Sequence, residues 1–248
     1  MARVGTLRFD HVQGPQYYRL SEGDWPTRTP MVALTRYGGA VGYLIAPPEE
    51  VATAPLPEDW AEPAAPADLN RRDENEAMAA DALARCARLV ARHELPMKLA
   101  KAFWALDRRQ LTFFYSAPTR VDFRALLRDL VREFRTQLRL EQVGDRDIAR
   151  LVGGCGRCGR NLCCCSWLPH FEPVSISHAR EQGLAPVPSQ LAGSCGRLRC
   201  CLRFESDEHH DGEHRHPWDL ACPKRPIKTA AYHLYYDEDE RDLEDLED

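Results

Sequence analysis

The feature that most constrains this chain is a seven-residue cysteine motif that occurs twice. Residues 158–164 and 195–201 both read C-G-R-x-x-C-C, and residues 153–201 contain eight of the ten cysteines. The glycine after the first cysteine permits a tight backbone turn, and the arginine places positive charge near thiols that must ionise to bind a metal. Each copy is therefore predicted to form a binding loop for a soft metal centre.

A disulfide framework is the alternative explanation for so many cysteines. Such frameworks belong to oxidising compartments and usually to small secreted chains. The sequence begins Met-Ala-Arg-Val with no apolar leader, and it contains no apolar run of about 18 residues that would span a membrane. We therefore expect a reduced, cytoplasmic setting, no integral membrane segment, and metal binding rather than disulfides.

The eight clustered cysteines are the predicted metal ligands. Six of them form the two motifs and are the predicted cofactor ligands: Cys158, Cys163, Cys164, Cys195, Cys200 and Cys201. Cys155 and Cys165 extend the first copy and complete the set of eight. Eight thiolates are enough for two four-iron clusters, whereas six leave ligand positions for another subunit.

The spacing of the cysteines leaves the metal open between iron-sulfur and zinc. Structural zinc usually takes two separated pairs of ligands. Adjacent cysteines are more typical of thiolates directed at different irons or different clusters. The spacing therefore favours one or two 4Fe-4S clusters, and zinc remains the alternative.

Cysteines and histidines outside this set are not predicted to bind the metal. Cys86 lies on the apolar face of a predicted helix and is interpreted as a buried small hydrophobic residue. Cys222 precedes a proline in the tail and is interpreted as a spare thiol. His170 and His178 lie near the cysteines, but a lone histidine in a loop or short helix is usually not a ligand.

Changes of composition predict an α+β protein of five segments. Residues 1–50 read as short strands separated by glycine and proline, which predicts a small β-barrel-like domain. Residues 51–70 are rich in proline and alanine and predict a linker. Residues 71–152 predict an α+β layer with one covered sheet face. Residues 153–205 form the cysteine-rich module, and residues 206–248 are a histidine-rich, acidic tail predicted to be disordered.

Hydrophobic periodicity predicts the individual elements. The predicted strands cover residues 4–9, 16–20, 31–36, 40–45, 97–106, 110–116 and 136–143. The predicted helices cover residues 73–93 and 145–151, with another that follows residue 122 and a short one capped by Ser175. Tyr17, Tyr18 and Tyr37 are interpreted as packing residues rather than platforms for stacked bases.

A row of arginines follows one side of the helix predicted after residue 122. Its members are Arg124, Arg128, Arg132 and Arg135. Such a row is suited to contact with phosphates. Asp129 and Glu133 interrupt the row, however, so the sequence favours a solvated face joined by ion pairs four residues apart, and phosphate contact is the alternative.

The sequence contains none of the common catalytic motifs. It has no Walker phosphate loop, no G-x-S-x-G and no H-E-x-x-H. The protein is therefore predicted not to be an enzyme.

The cysteine motifs and their surroundings resemble the YaaT/RicT family of bacterial proteins. The resemblance rests on the two C-G-R-x-x-C-C copies, on Phe-Glu-Pro-Val-Ser-Ile at 171–176 and on Cys-Cys-Leu-Arg-Phe-Glu at 200–205. It extends back through residues 97–99, 111–113, 121–124 and 134–136, and it covers most of residues 1–205.

The resemblance implies a non-enzymatic cytoplasmic protein that binds 4Fe-4S clusters jointly with two small helical partners of the RicA/RicF type. It also implies a regulatory role as a specificity factor for the endoribonuclease RNase Y in mRNA processing, in a family linked to sporulation. RNA is a candidate partner. The family's cysteines fall on the six motif positions, and Cys155 and Cys165 are additions. The alternative function is a zinc-stabilised RNA-binding or scaffold protein.

Overall fold

The computed structural model describes residues 2–11, 15–51, 57–166, 168, 173–185 and 187–205. The chain separates into two compact units, Met1–Gln142 and Val143–Asp248. The predicted tail at 206–248, Cys222 and His170 lie outside the described residues. Among the residues that are described, no helix combines the length and apolar character needed to cross a bilayer.

The first unit begins with a small β-barrel, as the sequence predicts. Its strands are β1 (Ala2–Arg8), β2 (Gln16–Leu20), β3 (Pro30–Thr35), β4 (Gly38–Leu44), β5 (Glu49–Val51) and β6 (Trp60–Pro63). Five strands follow the order β2-β6-β3-β4-β1, and β1 pairs with β2 to close the ring. β5 pairs with the other end of β1. Leu7, Phe9, Met31 and Leu44 are buried in this barrel.

The tyrosines of the barrel differ in their exposure. Tyr18 and Tyr37 are buried, as predicted for packing residues. The packing interpretation is wrong for Tyr17, whose surface is 58% exposed. Successive side chains of a strand point to opposite faces, so two adjacent tyrosines in β2 cannot both face the core.

The proline-rich segment 51–70 contains more structure than its composition predicts. β6 lies within it and pairs in parallel with β2 and antiparallel with β3. The first helix already begins at Pro66, where the missing N–H would have no intrahelical partner. A strand of four residues has no detectable periodicity, so its pairing with β2 and β3 could not be predicted from composition.

Two helices and a three-stranded sheet complete the first unit. These elements are α1 (Pro66–Arg92), β7 (Lys98–Trp104), β8 (Gln110–Ser116), α2 (Arg124–Phe134) and β9 (Gln137–Gln142). β7 and β8 form an antiparallel hairpin, and α2 carries the chain over to β9, which runs parallel to β8. β8 is therefore the central strand of the sheet.

The sheet is covered on both faces, whereas the sequence predicts only one covered face. The ring of Phe113 lies 5.8 Å from that of Phe134 in α2. The ring of Phe114, on the opposite face, lies 5.1 Å from that of Tyr37 in the barrel. The barrel supplies the second cover, which explains the continuous apolar run of β8.

The barrel and the sheet also meet at two turns. The N–H of Leu106 donates to the carbonyl of Gly39 at 2.8 Å. Gly38 has a φ of +101°, and a Cβ at that position would lie 2.6 Å from the Cβ of Ala105. Only glycine suits both this conformation and this approach.

The second unit consists of short helices and two cysteine-containing turns. Its helices are α3 (Asp145–Val152), α4 (Ile176–Glu181) and α5 (Pro188–Leu191), and Cys163–Cys165 form a 3₁₀ turn. Residues 201–205 are also helical. Ala179, Leu191 and Leu202 form a buried cluster, with Val174 and Leu198 packed against it.

Candidate metal centre

The two copies of the cysteine motif adopt the same backbone turn. In the first copy, the N–H of Gly156 donates to the carbonyl of Arg160 at 2.7 Å, and that of Gly159 donates to Gly156 at 2.9 Å. The second copy repeats both bonds, at 2.8 and 2.9 Å, with Gly193, Arg197 and Gly196. The glycine after each first cysteine has a φ of +74° or +71°, which confirms the predicted tight turn.

A short antiparallel bridge closes the base of each turn. Cys155 pairs with Asn161 in the first copy, and Ala192 pairs with Leu198 in the second. Ala192 thus occupies the position that Cys155 has in the first copy. The first turn presents two cysteines and the second presents one.

The cysteine doublets of the two copies meet in space. The thiols of Cys163 and Cys200 form a hydrogen bond with each other. Cys158 and Cys201 lie within electrostatic reach of Cys163 and of one another. Four predicted ligands, drawn from both copies, therefore share one region instead of lining two separate loops.

Cys164 and Cys165 belong to the 3₁₀ turn and have different neighbours. The thiol of Cys164 is buried and hydrogen-bonded to that of Cys165, and it lies within electrostatic reach of Cys200. Sγ of Cys165 lies 3.3 Å from the carbonyl oxygen of Arg150 in α3, to which its S–H donates. This contact ties the 3₁₀ turn to α3.

Cys155 and Cys195 complete the predicted set of eight. Cys155 is exposed and Cys195 is half-buried. Among the described residues, neither thiol is hydrogen-bonded to the cysteine doublets. All nine cysteines that the structure describes are free thiols.

The thiols converge without forming a complete coordination sphere. Within the described ranges, no group of three or more His, Cys, Asp or Glu side chains is arranged to hold a metal ion. The donor set is nevertheless made of thiols from both copies, which are the ligands that iron-sulfur clusters and zinc accept. The chemistry of the donors therefore fits a soft metal centre.

Two arginines of α3 influence the ionisation of these thiols. The hydrogen bond from Cys163 and, to a smaller extent, the positive charge of Arg146 together lower the pKa of Cys200 to about 6, although burial acts in the opposite direction. The same hydrogen bond raises the pKa of Cys163. The charge of Arg150 favours the thiolate of Cys164 but is outweighed there by the bond to Cys165 and by burial, which raise its pKa. Metals bind the thiolate form, so the site holds one thiolate ready for binding near neutral pH.

The sequence patterns did not identify the arginines of α3 as part of the site. Nη2 of Arg146 donates to the carbonyl of Leu198 in the second copy at 3.0 Å. Arg150 lies one helical turn further on, so both side chains fall on one face of α3. This spacing of four residues directly before the first motif is the signal that could have revealed them.

His178 and Cys86 have local environments of their own. Nδ1 of His178 accepts a hydrogen bond from the N–H of Ser175 at 3.3 Å, at the start of α4. Cys86 is buried in α1, and burial raises the pKa of its thiol to about 12.

The first unit contains a closed barrel and a covered α/β layer, and the second contains the paired C-G-R-x-x-C-C turns. The chain is therefore a modular protein with a thiol-rich second unit. Residues 61–143 match the PSP1 C-terminal conserved region, and residues 173–215 match the third domain of PSP1-like proteins. The chain belongs to this PSP1 family of YaaT-like proteins.

Two relatives illustrate the family. The chain is 43% identical over 150 residues to the Stage 0 sporulation protein YaaT of Bacillus subtilis, covering 60% of this chain and 54% of that protein. It is 41% identical over 59 residues to the uncharacterized protein PB7E8.02 of Schizosaccharomyces pombe, covering 24% of this chain and 8% of that protein. The chain thus spans about half the length of the Bacillus relative. No solved structure matches the chain.

Proposed function

We propose that this chain is a non-catalytic, cytoplasmic adaptor that binds one or two 4Fe-4S clusters through its thiols. The observation that carries the proposal is the hydrogen bond between Cys163 and Cys200, which joins equivalent positions of the two motif copies. A thiolate site built from both copies is suited to a cofactor that links them. When bound, a cluster would supply a redox- and oxygen-sensitive cross-link between the two turns.

Four thiols are proposed to hold the first cluster. They are Cys158, Cys163, Cys200 and Cys201, which share one region. Cys155, Cys164, Cys165 and Cys195 remain for a second cluster or for ligand positions shared with a partner. Binding by Cys165 would require its contact with the carbonyl of Arg150 to break.

The second unit has physical reasons to use such a cofactor. Its described buried apolar residues are few: Ala179, Leu191 and Leu202 form one cluster, and Ile148, Ala149, Val152 and Cys164 are also buried. Small units with small cores commonly gain stability from bound metals. Arg146 and Arg150 would also offset the negative charge of a thiolate-ligated cluster.

The proposed biological role is regulatory. We propose that the chain joins two small helical partners of the RicA/RicF type and directs RNase Y-dependent mRNA processing, as the sequence resemblance implies. The sporulation name of the Bacillus relative agrees with a regulatory role in bacteria. Co-purification of the tagged chain with the two partners and RNase Y tests this role, and failure to recover any of them from anaerobic lysate contradicts it.

Anaerobic purification of the full chain tests the cofactor. We expect a brown protein whose iron and acid-labile sulfide are present in equal amounts, and whose visible absorption is lost in air. The presence of purified partners should increase the iron content if they supply ligands. A chain that contains neither iron nor sulfide after anaerobic reconstitution contradicts the cluster proposal.

Zinc is the second candidate, and one observation favours it. Sulfur ligands of a single tetrahedral zinc lie about 3.8 Å apart, given Zn–S bonds of about 2.3 Å. Two thiols that hydrogen-bond to each other, such as Cys163 and Cys200, are suited to neighbouring positions on one zinc ion. Elemental analysis that finds zinc without iron or sulfide would support a zinc-stabilised RNA-binding or scaffold protein.

A further inference from the structure

Helix α2 carries charges of both signs, and the structure places them on different sides. Nε of Arg85 in α1 donates to Oε1 of Glu133 at 2.8 Å. Nε2 of His93, at the end of α1, lies 2.8 Å from Oδ2 of Asp129. The two acids that interrupt the arginine row in the sequence are therefore paired with α1.

The arginines of this helix lie together on another side. Arg124, Arg128 and Arg132 are in α2, and Arg135 follows directly after its end; all four are exposed, and we call them the arginine stripe. A helix turns about 100° per residue, so Arg124, Arg128 and Arg132 fall within about 80° of one another, and the two acids fall outside that arc. The rise of about 1.5 Å per residue spreads these three arginines over about 12 Å.

Ion pairs engage the arginine stripe only weakly, so its guanidinium groups are available to bind another molecule. Nη1 of Arg132 lies 3.6 Å from Asp129, and Nε of Arg124 lies 3.8 Å from Asp122. The side chains of Arg124 and Arg132 are 91% and 80% exposed, and such exposed contacts contribute little in water. Within the part of the chain that the structure describes, Arg128 and Arg135 have no ion-pair partner.

Helix α1 extends the positive surface beyond the stripe. Arg88 and Arg92 are exposed, and they lie three and seven residues after Arg85, on the same side of α1. The charge of Arg92 acts on Asp129 together with that of Arg132. Asp129 thus lies among His93, Arg92 and Arg132, and the exposed Arg88 and Arg92 add positive charge to the arginine stripe.

We propose that the arginine stripe binds the phosphate backbone of RNA. Guanidinium groups suit phosphate oxygens, and phosphate contacts hold a nucleic acid without reading its bases. The choice of RNA as the polyanion rests on the proposed role in mRNA processing. Binding by this surface should therefore depend strongly on salt and weakly on sequence.

Fluorescence anisotropy of the full chain with labelled single-stranded RNA tests the proposal. Replacing the four arginines of the stripe by glutamine should weaken binding at least tenfold. The slope of log K against log salt should become shallower by about 0.7 for each phosphate that the variant no longer binds. The matched lysine variant keeps the positive charge and should retain most of the affinity and of the slope.

Two controls test where on the protein RNA binds and whether RNA is the preferred partner. Arg71→Gln removes an exposed arginine near the other end of α1 and should leave RNA binding unchanged. Equal losses in Arg71→Gln and in the glutamine variant of the stripe would overturn the proposal. Tighter binding to polyglutamate than to RNA would overturn it in favour of an acidic protein partner.

Metal analysis of the same samples separates this inference from the proposed cofactor. A chain that contains iron and sulfide but binds no RNA overturns the inference alone. A chain that binds RNA through the stripe but contains no iron overturns the cluster proposal alone. Circular dichroism of each variant establishes that the helices are intact.

Discussion

The thiols of Cys163 and Cys200 hydrogen-bond to each other, although they belong to different copies of the C-G-R-x-x-C-C motif. They hold equivalent positions, each being the first cysteine of its doublet. Cys158 and Cys201 lie within electrostatic reach of this pair. The repeat therefore produces one shared thiol site with a contribution from each copy.

We expect Cys163→Ser and Cys200→Ser each to remove most of the bound metal. Because both thiols serve one site, the double variant should lose little more than either single variant. Iron, zinc and sulfide analysis after anaerobic purification measures this. Cys86→Ala changes a buried thiol outside the predicted ligands, and as the control it should retain its metal. If each single variant lost about half of the metal and the double variant lost all of it, each copy would instead have a separate site.

We expect Asn75→Ala to destabilise the first unit by about 1–3 kcal/mol, because it leaves a buried polar group without its partner. Nδ2 of Asn75 donates to the carbonyl of Ala105 at 3.0 Å, and its Oδ1 accepts from Nε of Arg108 at 2.6 Å. Urea unfolding measures the change. Asn70→Ala removes an exposed asparagine of the same helix and should change stability much less. Similar losses in both variants would show that helix propensity, and not the buried hydrogen bonds, is responsible.

We expect the pairing of His93 with Asp129 to make the protein sensitive to acid. The hydrogen bond from His93 lowers the pKa of Asp129 below its ordinary value of 3.8. A lowered carboxyl pKa gives stability that is present above 3.8 and is lost as the pH falls through the folded-state value. Below about pH 4, the free energy of unfolding of Asp129→Asn should therefore decrease less steeply than that of the unchanged protein. Urea unfolding at a series of pH values measures this. His93→Gln should show the same weaker dependence on pH. If both variants lose stability in acid as steeply as the unchanged protein, the His93–Asp129 pair is not the cause of the acid sensitivity.

We expect Cys86 to resist alkylation in the native protein. Its side chain is buried in α1, and burial raises its pKa to about 12, so little thiolate exists in mildly alkaline buffer. Mass spectrometry after iodoacetamide treatment of the metal-free chain should find Cys86 unmodified while the exposed Cys155 and Cys158 react. Denaturation should make all ten cysteines reactive. Labelling of Cys86 at the rate of Cys155 would contradict its burial.

The local elements of this protein follow from its amino-acid sequence alone. Strands β2 and β8 fall on the predicted residues 16–20 and 110–116, because their alternating or continuous apolar patterns depend only on neighbours in the chain. The same is true of the turn in each cysteine motif, where glycine at positive φ is a local requirement.

Which of these local pieces meet depends on the tertiary fold. Strand β6 forms in a proline-rich segment because β2 and β3 pair with it, and the second face of the sheet is covered because the barrel packs against it. The meeting of Cys163 with Cys200 and the pairing of Asp129 and Glu133 with α1 are equally non-local. These contacts join residues that are far apart in the sequence. The hydrophobic pattern of one segment does not indicate which distant segment it will contact.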